Sequence, residues 1–197
     1  MSALSLLDRK SYLRHVGWFK SIFLQRPVTS NDQPIPWYTY SCLHFLEPRI
    51  DSSWSVFEWG AGNSTLWWAA RVKFIRTIEH DKLWYKAMQQ SVPENVALSH
   101  SPADNRFEEA IAQHAQRYDV IIIDGKRRVE CAKLAPIYLN DGGVIIWDNS
   151  DRNDYKTGFL HLQRNGFRQL PFRGLGPSSR QAWETSIFYR DGNCLAV

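Results

Sequence analysis

The stretch that decides the fold is Val56-Phe57-Glu58-Trp59-Gly60-Ala61-Gly62-Asn63-Ser64-Thr65. It opens on β-forming residues, bends over two glycines and closes on Asn, Ser and Thr, the residues that cap a helix start. This predicts a short strand over residues 55–58, a tight turn at Gly60-Ala61-Gly62 and a helix over 64–71.

Working outward, the same alternation continues downstream. Strands are expected at 74–79, 96–99, 118–124 and 144–148, separated by helices at 82–91, 107–115 and 129–139. Val120-Ile121-Ile122-Ile123 is apolar on both faces, as a central parallel strand must be. A helix from about 156 to 165 and strands at 167–172 and 185–189 follow, the last two separated by a polar, Gly/Pro-containing connection. Strand–helix alternation of this kind predicts an α/β fold: a Rossmann-like doubly wound sheet, mostly parallel with a late antiparallel strand, helices on both faces. Upstream, Tyr12, Val16, Phe19 and Phe23 fall at helical spacing, so 1–26 reads as one helix. Pro27, Pro34 and Pro36 make a turn, and a second helix is expected at 39–46, ended by Pro48. We therefore expect one domain overall: an N-terminal helical extension or cap over 1–50, and a ligand-binding α/β unit over 51–197. The cap covers the core or pairs with a second copy in a homodimer.

Composition narrows the partners. Of 197 residues, 44% are hydrophobic and 22% charged, which is globular rather than disordered. The net charge of +4 comes from 24 basic and 20 acidic residues that are interspersed, clustering only at Lys126-Arg127-Arg128. That pattern lacks the basic stripe of a nucleic-acid binder, so a small-molecule acceptor and no nucleic acid are expected. Cys42, Cys131 and Cys194 stand too far apart for a zinc or disulfide pattern. Asp8, Arg9 and Lys10 interrupt the first apolar residues, and no apolar run has membrane-spanning length. A cytoplasmic protein without stable membrane association is expected.

The chemistry should lie at the strand tips. Glu58, Glu79-His80-Asp81, Asp124-Gly125 and Asp148-Asn149 each end a predicted strand at the edge where open α/β sheets bind ligands. Clustered carboxylates repel one another unless a cation joins them. S-adenosylmethionine, with an ammonium, a sulfonium and two ribose hydroxyls, suits such a rim. Glu58 would attract the ammonium, and Gly60, Ala61 and Gly62 would let the backbone approach. Asn63, Ser64 and Thr65 would cap the helix or hold the ligand's carboxylate. Glu79, 17 positions after Gly62, would accept from the ribose, with His80 beside it. Asp124 would hold the ammonium or a metal. A nicotinamide-dependent oxidoreductase is the first alternative, but Thr65 replaces the third glycine of G-x-G-x-x-G and Glu58 would oppose a pyrophosphate. A non-catalytic interaction domain is the second.

These stretches, together with Y-D-V-I-I-I-D-G and G-G-V-I-I-W-D-N, resemble the motif series of class I S-adenosylmethionine-dependent methyltransferases over about residues 54–150. The resemblance implies transfer of the cofactor's methyl group to a nucleophile. The last two motifs are similar to those of catechol and caffeoyl-CoA O-methyltransferases, which implies O-methylation of a small molecule. It also implies an oxygen-liganded Mg²⁺ or Ca²⁺ on Asp124, Asp148 and Asn149. The family's Asp-x-x-Lys pattern reads Asp124-Gly125-Lys126-Arg127 here, so the base is sought among Lys126, His80 and Asp148. Trp37, Tyr38 and Tyr40, with Arg173, Ser178 and Arg180, are candidates to cover the acceptor.

Overall fold

The computed structural model describes residue 8 and residues 10–104 and 106–197. Seven strands form one sheet: β1 (Ser55–Trp59), β2 (Phe74–Glu79), β3 (Val96–His100), β4 (Tyr118–Ile123), β5 (Leu139–Asp148), β6 (Arg168–Gly174) and β7 (Trp183–Tyr189). Their order is β3-β2-β1-β4-β5-β7-β6, and β7 alone runs against its neighbours. The expected doubly wound sheet with a late antiparallel strand is therefore present.

Pleating sends alternate residues to two cores. Val56, Ile75, Val120, Ile122, Val144 and Ile146 face one of them, which also holds Tyr40, Cys42, Leu43 and Leu46 of α3 (Tyr40–Leu46) and Trp67 and Trp68 of α4 (Asn63–Ala69). Phe57, Trp59, Ile121, Ile123, Ile145 and Trp147 face the other, with Cys131 and Ala132 of α6 (Arg128–Leu134) and Leu162 of α7 (Lys156–Arg164). Helix α5 (Lys82–Met88) runs beside β2 and β3. Gly158 brings α7 down onto β5: a Cβ there would lie 2.5 Å from Trp147 Cη2.

Three expectations are corrected. The helix over 1–26 lies partly outside the described residues, and the described part is two helices, α1 (Tyr12–His15) and α2 (Trp18–Leu24). Gly17 separates them at φ +81°, where a Cβ would come within 2.4 Å of the Val28 carbonyl oxygen. Only glycine permits that turn. The helix over 107–115 is a 3-10 segment, Phe107–Gln113. The helix over 129–139 stops at Leu134 because Pro136 lies in a 3-10 turn, and β5 begins early, at Leu139. No helix among the described residues is long and apolar enough to cross a membrane.

Because strand order reverses between β1 and β4, the loops leaving their carboxyl ends diverge and leave a crevice. The two loops touch through backbone. Gly60, at φ +102°, would place a Cβ 3.0 Å from the Asp124 carbonyl carbon, and Gly125 would place one 3.1 Å from that of Trp59.

Candidate functional site

A cavity of about 820 Å³ opens over this crevice. Gly60, Ala61, Gly62, Asn63, Ser64, Glu79, His80, Asp124 and Lys126 all line it, so nine of the residues expected at the site meet on one wall system. Beside it lies a recess of about 420 Å³ bounded by Trp37, Asp124, Asp148, Asn149, Ser179 and Trp183. Asp124 and Trp37 border both spaces.

Glu79 is the carboxylate best prepared for a ligand. It is buried, yet its Oε2 accepts the Ala61 N–H at 3.0 Å, and its Oε1 accepts those of His80 and Asp81 at 2.8 and 2.7 Å. His80 Nδ1 lies 2.9 Å from the same Oε1. Backbone donors thus fix the carboxylate's direction before anything binds. Asp81 accepts from the N–H groups of Leu83 and Trp84, which start α5 and hold its own carboxyl below the usual range.

Glu58 has a different place from the one expected. It is fully buried and absent from the cavity wall; Ser64, Thr65 and Thr77 hydroxyls donate to it at 2.5, 2.5 and 3.0 Å. Burial raises its carboxyl to about 7 against the three hydroxyls, which lower it. Glu58 braces the turn from behind, and the Ser64 and Thr65 O–H donors are already engaged by it. Thr65 Oγ1 also accepts the Gly62 N–H at 3.0 Å, and the Asn63 side-chain amide donates to the Pro27 carbonyl at 2.6 Å.

The three residues expected to hold a metal do not fit one. Arg128 lies among them: its guanidinium donates to Asp124 Oδ1 at 2.9 Å and to Asn149 Oδ1 at 3.2 Å. Asp148 Oδ1 is turned the other way, accepting from Trp183 Nε1 at 3.0 Å and Thr185 Oγ1 at 2.6 Å. Among the described residues no group of three or more His, Cys, Asp or Glu side chains is arranged to bind a metal ion. Burial raises both carboxyls, Asp148 to about 7, with the Asp124 charge adding to the effect on Asp148.

Of the residues expected to cover an acceptor, Trp37 lines both spaces and is tied by its Nε1 to the Pro177 carbonyl at 2.9 Å. Tyr38 and Tyr40 are instead buried in the core, Tyr38 against Trp68. Arg173 faces Asp151, and neither it nor Ser178 nor Arg180 lines either space. Sequence reasoning missed Gln25, Arg26 and Pro27, which roof the cavity from the N-terminal segment, as well as Arg152 and Trp84. Trp84 is 47% exposed and donates from Nε1 to the Ala61 carbonyl at 2.8 Å. Its signal was available: an aromatic three residues after the helix-capping Asp81 lies beside the first turn of α5.

The sheet order, with a reversed seventh strand between the fifth and sixth, and the crevice at its switch point define the class I methyltransferase fold. No family model matches the sequence, and no curated protein does. Solved structures do share the architecture. The "putative O-methyltransferase" of Klebsiella pneumoniae superposes with a TM-score of 0.57 at 15% identity, covering 96% of this chain and 94% of that one. An rRNA methylase from Streptococcus thermophilus gives 0.58 at 15%, covering 75% and 93%. The "putative methyltransferase" of Streptococcus mutans, in complex with SAH, gives 0.53 at 14%, covering 74% and 94%. Likeness at this identity establishes the fold. It selects no acceptor, and the presence of an rRNA methylase means that it lends no support to excluding nucleic acid.

Proposed function

We propose that the protein is an S-adenosylmethionine-dependent methyltransferase acting on an oxygen of a small-molecule acceptor. The observation that carries this reading is Glu79, a buried carboxylate aimed by three backbone donors into an 820 Å³ cavity beside the Gly60-Ala61-Gly62 turn. Ribose hydroxyls donate to such a group. A pyrophosphate needs the reverse, free backbone N–H groups, and here those of Ala61 and Gly62 are taken by Glu79 and Thr65. The nicotinamide alternative loses support on that ground.

Methyl transfer is an in-line displacement, so the protein's task is to align two molecules, exclude water and receive a proton. The main cavity takes the cofactor, with Trp84 and the Gln25–Pro27 segment closing over it. The adjoining recess takes the acceptor between Trp37 and Trp183. Among the three candidate bases, Asp148 lines that recess and has its carboxyl near 7, the range a general base needs at neutral pH. His80 and Lys126 border the cofactor cavity and not the recess. They are assigned to cofactor contact.

Calorimetry with S-adenosylhomocysteine and, in parallel, NADH tests the proposal. Micromolar binding of the first without the second is expected. Binding of NADH alone would assign the cavity to a dinucleotide, and binding of neither by folded protein would favour an interaction domain.

A further inference from the structure

Arg128 is the first residue of α6, and the turn before it is unusual. Arg127 adopts φ +49°, a left-handed conformation that costs a non-glycine residue energy. A two-pronged contact with Glu108, Nε at 2.6 Å and Nη2 at 3.1 Å, holds it there. The consequence falls on Arg128, whose side chain is directed back under the strand tips and is only 10% exposed.

A guanidinium has five N–H donors. In Arg128 all five are used. Nε donates to the Gly125 carbonyl at 3.0 Å; Nη2 donates to the Asp124 carbonyl and to Asp124 Oδ1, both at 2.9 Å. Nη1 donates to the Asp148 carbonyl at 2.5 Å and to Asn149 Oδ1 at 3.2 Å. The acceptors come from the carboxyl ends of β4 and β5, so one side chain joins the two strand tips. Four of the five, all but the Gly125 carbonyl, come from Asp124, Asp148 and Asn149, the three residues that the resemblance to catechol-type enzymes assigns to a divalent cation.

We propose that Arg128 is a resident cation that takes the place of the metal, so that this site works without a divalent ion. Two physical consequences follow from the hydrogen-bond count. A metal ion keeps coordination positions open for substrate oxygens, whereas Arg128 has no N–H left to offer. An acceptor therefore cannot be held by chelation through two neighbouring oxygens, and its orientation falls to the walls of the recess, chiefly Trp37 and Trp183. On the methyltransferase reading, which this consequence rests on, the acceptor needs one nucleophilic atom and no vicinal partner for it. Arg128 itself acts as a positioning residue, fixing Asp124 and the backbone that carries Asp148.

The experiment is a titration of the whole protein with Mn²⁺, read by the loss of the free-ion paramagnetic resonance signal, with S-adenosylhomocysteine binding measured on the same samples. Wild-type protein is expected to bind no Mn²⁺ into the millimolar range. Arg128→Ala leaves the Asp124 carboxylate without its ion-pair partner, while Asn149 Oδ1 keeps the Arg152 Nη2 donor at 3.0 Å, and should raise Mn²⁺ affinity roughly tenfold or more. Adding Asp124→Asn should abolish the gain. Arg128→Gln serves if the alanine variant does not fold. Wild-type binding that Asp124→Asn removes would overturn the proposal, whether or not either variant folds. So would a folded Arg128 variant that gains nothing. Failure to bind S-adenosylhomocysteine would count against the methyltransferase reading alone, because the metal titration reads the carboxylates directly.

Discussion

Glu79 Oε2 accepts the Ala61 N–H at 3.0 Å, which joins the end of β2 to the turn that follows β1. One side chain thereby shapes the two-glycine bend and presents a carboxylate to the cavity. Glu79→Ala should lose both effects and weaken S-adenosylhomocysteine binding by about 1–3 kcal/mol, that is, roughly five- to 150-fold. Calorimetry on the variant checks this, and unchanged affinity would remove Glu79 from the site.

Gly60 tests the close approach of the two loops. Alanine there meets two obstacles, the left-handed φ of +102° and Asp124 backbone atoms 3.0 Å from the new Cβ. Gly60→Ala should push the β1 and β4 loops apart and reduce cofactor affinity at least about tenfold, with a stability loss of about 1–3 kcal/mol. Gly62→Ala is the control for the stability loss, since a Cβ there meets no protein atom within 4 Å and its φ of 177° is ordinary extended backbone.

Glu58 predicts a pH dependence with a definite sign. Its carboxyl is raised from 4.5 to about 7 in the folded protein, so the folded state holds the proton more tightly than the unfolded chain. Its contribution is greatest below about pH 4.5 and is lost as pH rises through about 7, a fall of about 3 kcal/mol at most. Asp148 acts in the same direction. Denaturant unfolding of wild type and Glu58→Gln across that interval isolates the Glu58 share, because the glutamine cannot ionise. The stability difference between the two should shift in favour of Glu58→Gln with rising pH, and a constant difference would contradict the raised carboxyl.

Gly158 reports on the packing of α7 against β5. Gly158→Ala gains helix propensity but places a methyl 2.5 Å from the buried Trp147 ring, so a net loss of about 1–3 kcal/mol is expected. In a Trp147→Phe background the obstructing ring atoms are absent, and the same substitution should become neutral or favourable. Thermal unfolding of the four proteins closes the cycle.

Much of the site was legible because acids at the ends of parallel strands converge by topology alone. Reading strand limits was enough to bring Glu79 and Asp124 to one cavity with Gly60 and Gly62. Glu58 defeated the same reasoning because its partners depend on register. Thr77 faces it across the β1–β2 pairing, and that alignment decides that the carboxylate is satisfied within the protein rather than by a ligand. Arg128 was illegible for a related reason. Its acceptors on Asp148 and Asn149 lie 20 and 21 residues away, and nothing local predicts that the Arg127 turn directs the side chain toward them. The N-terminal segment misled through its periodicity, which runs straight across Gly17 and ignores the contact with Val28 that requires the break.

The most direct test of the account is a crystal structure with S-adenosylhomocysteine. Both ribose hydroxyls should lie within hydrogen-bonding distance of the Glu79 carboxylate, with the amino-acid portion over Gly60 and toward Asp124. A ligand seated away from Glu79, or a Glu79 carboxylate still satisfied only by backbone donors while the ligand is bound, would contradict it.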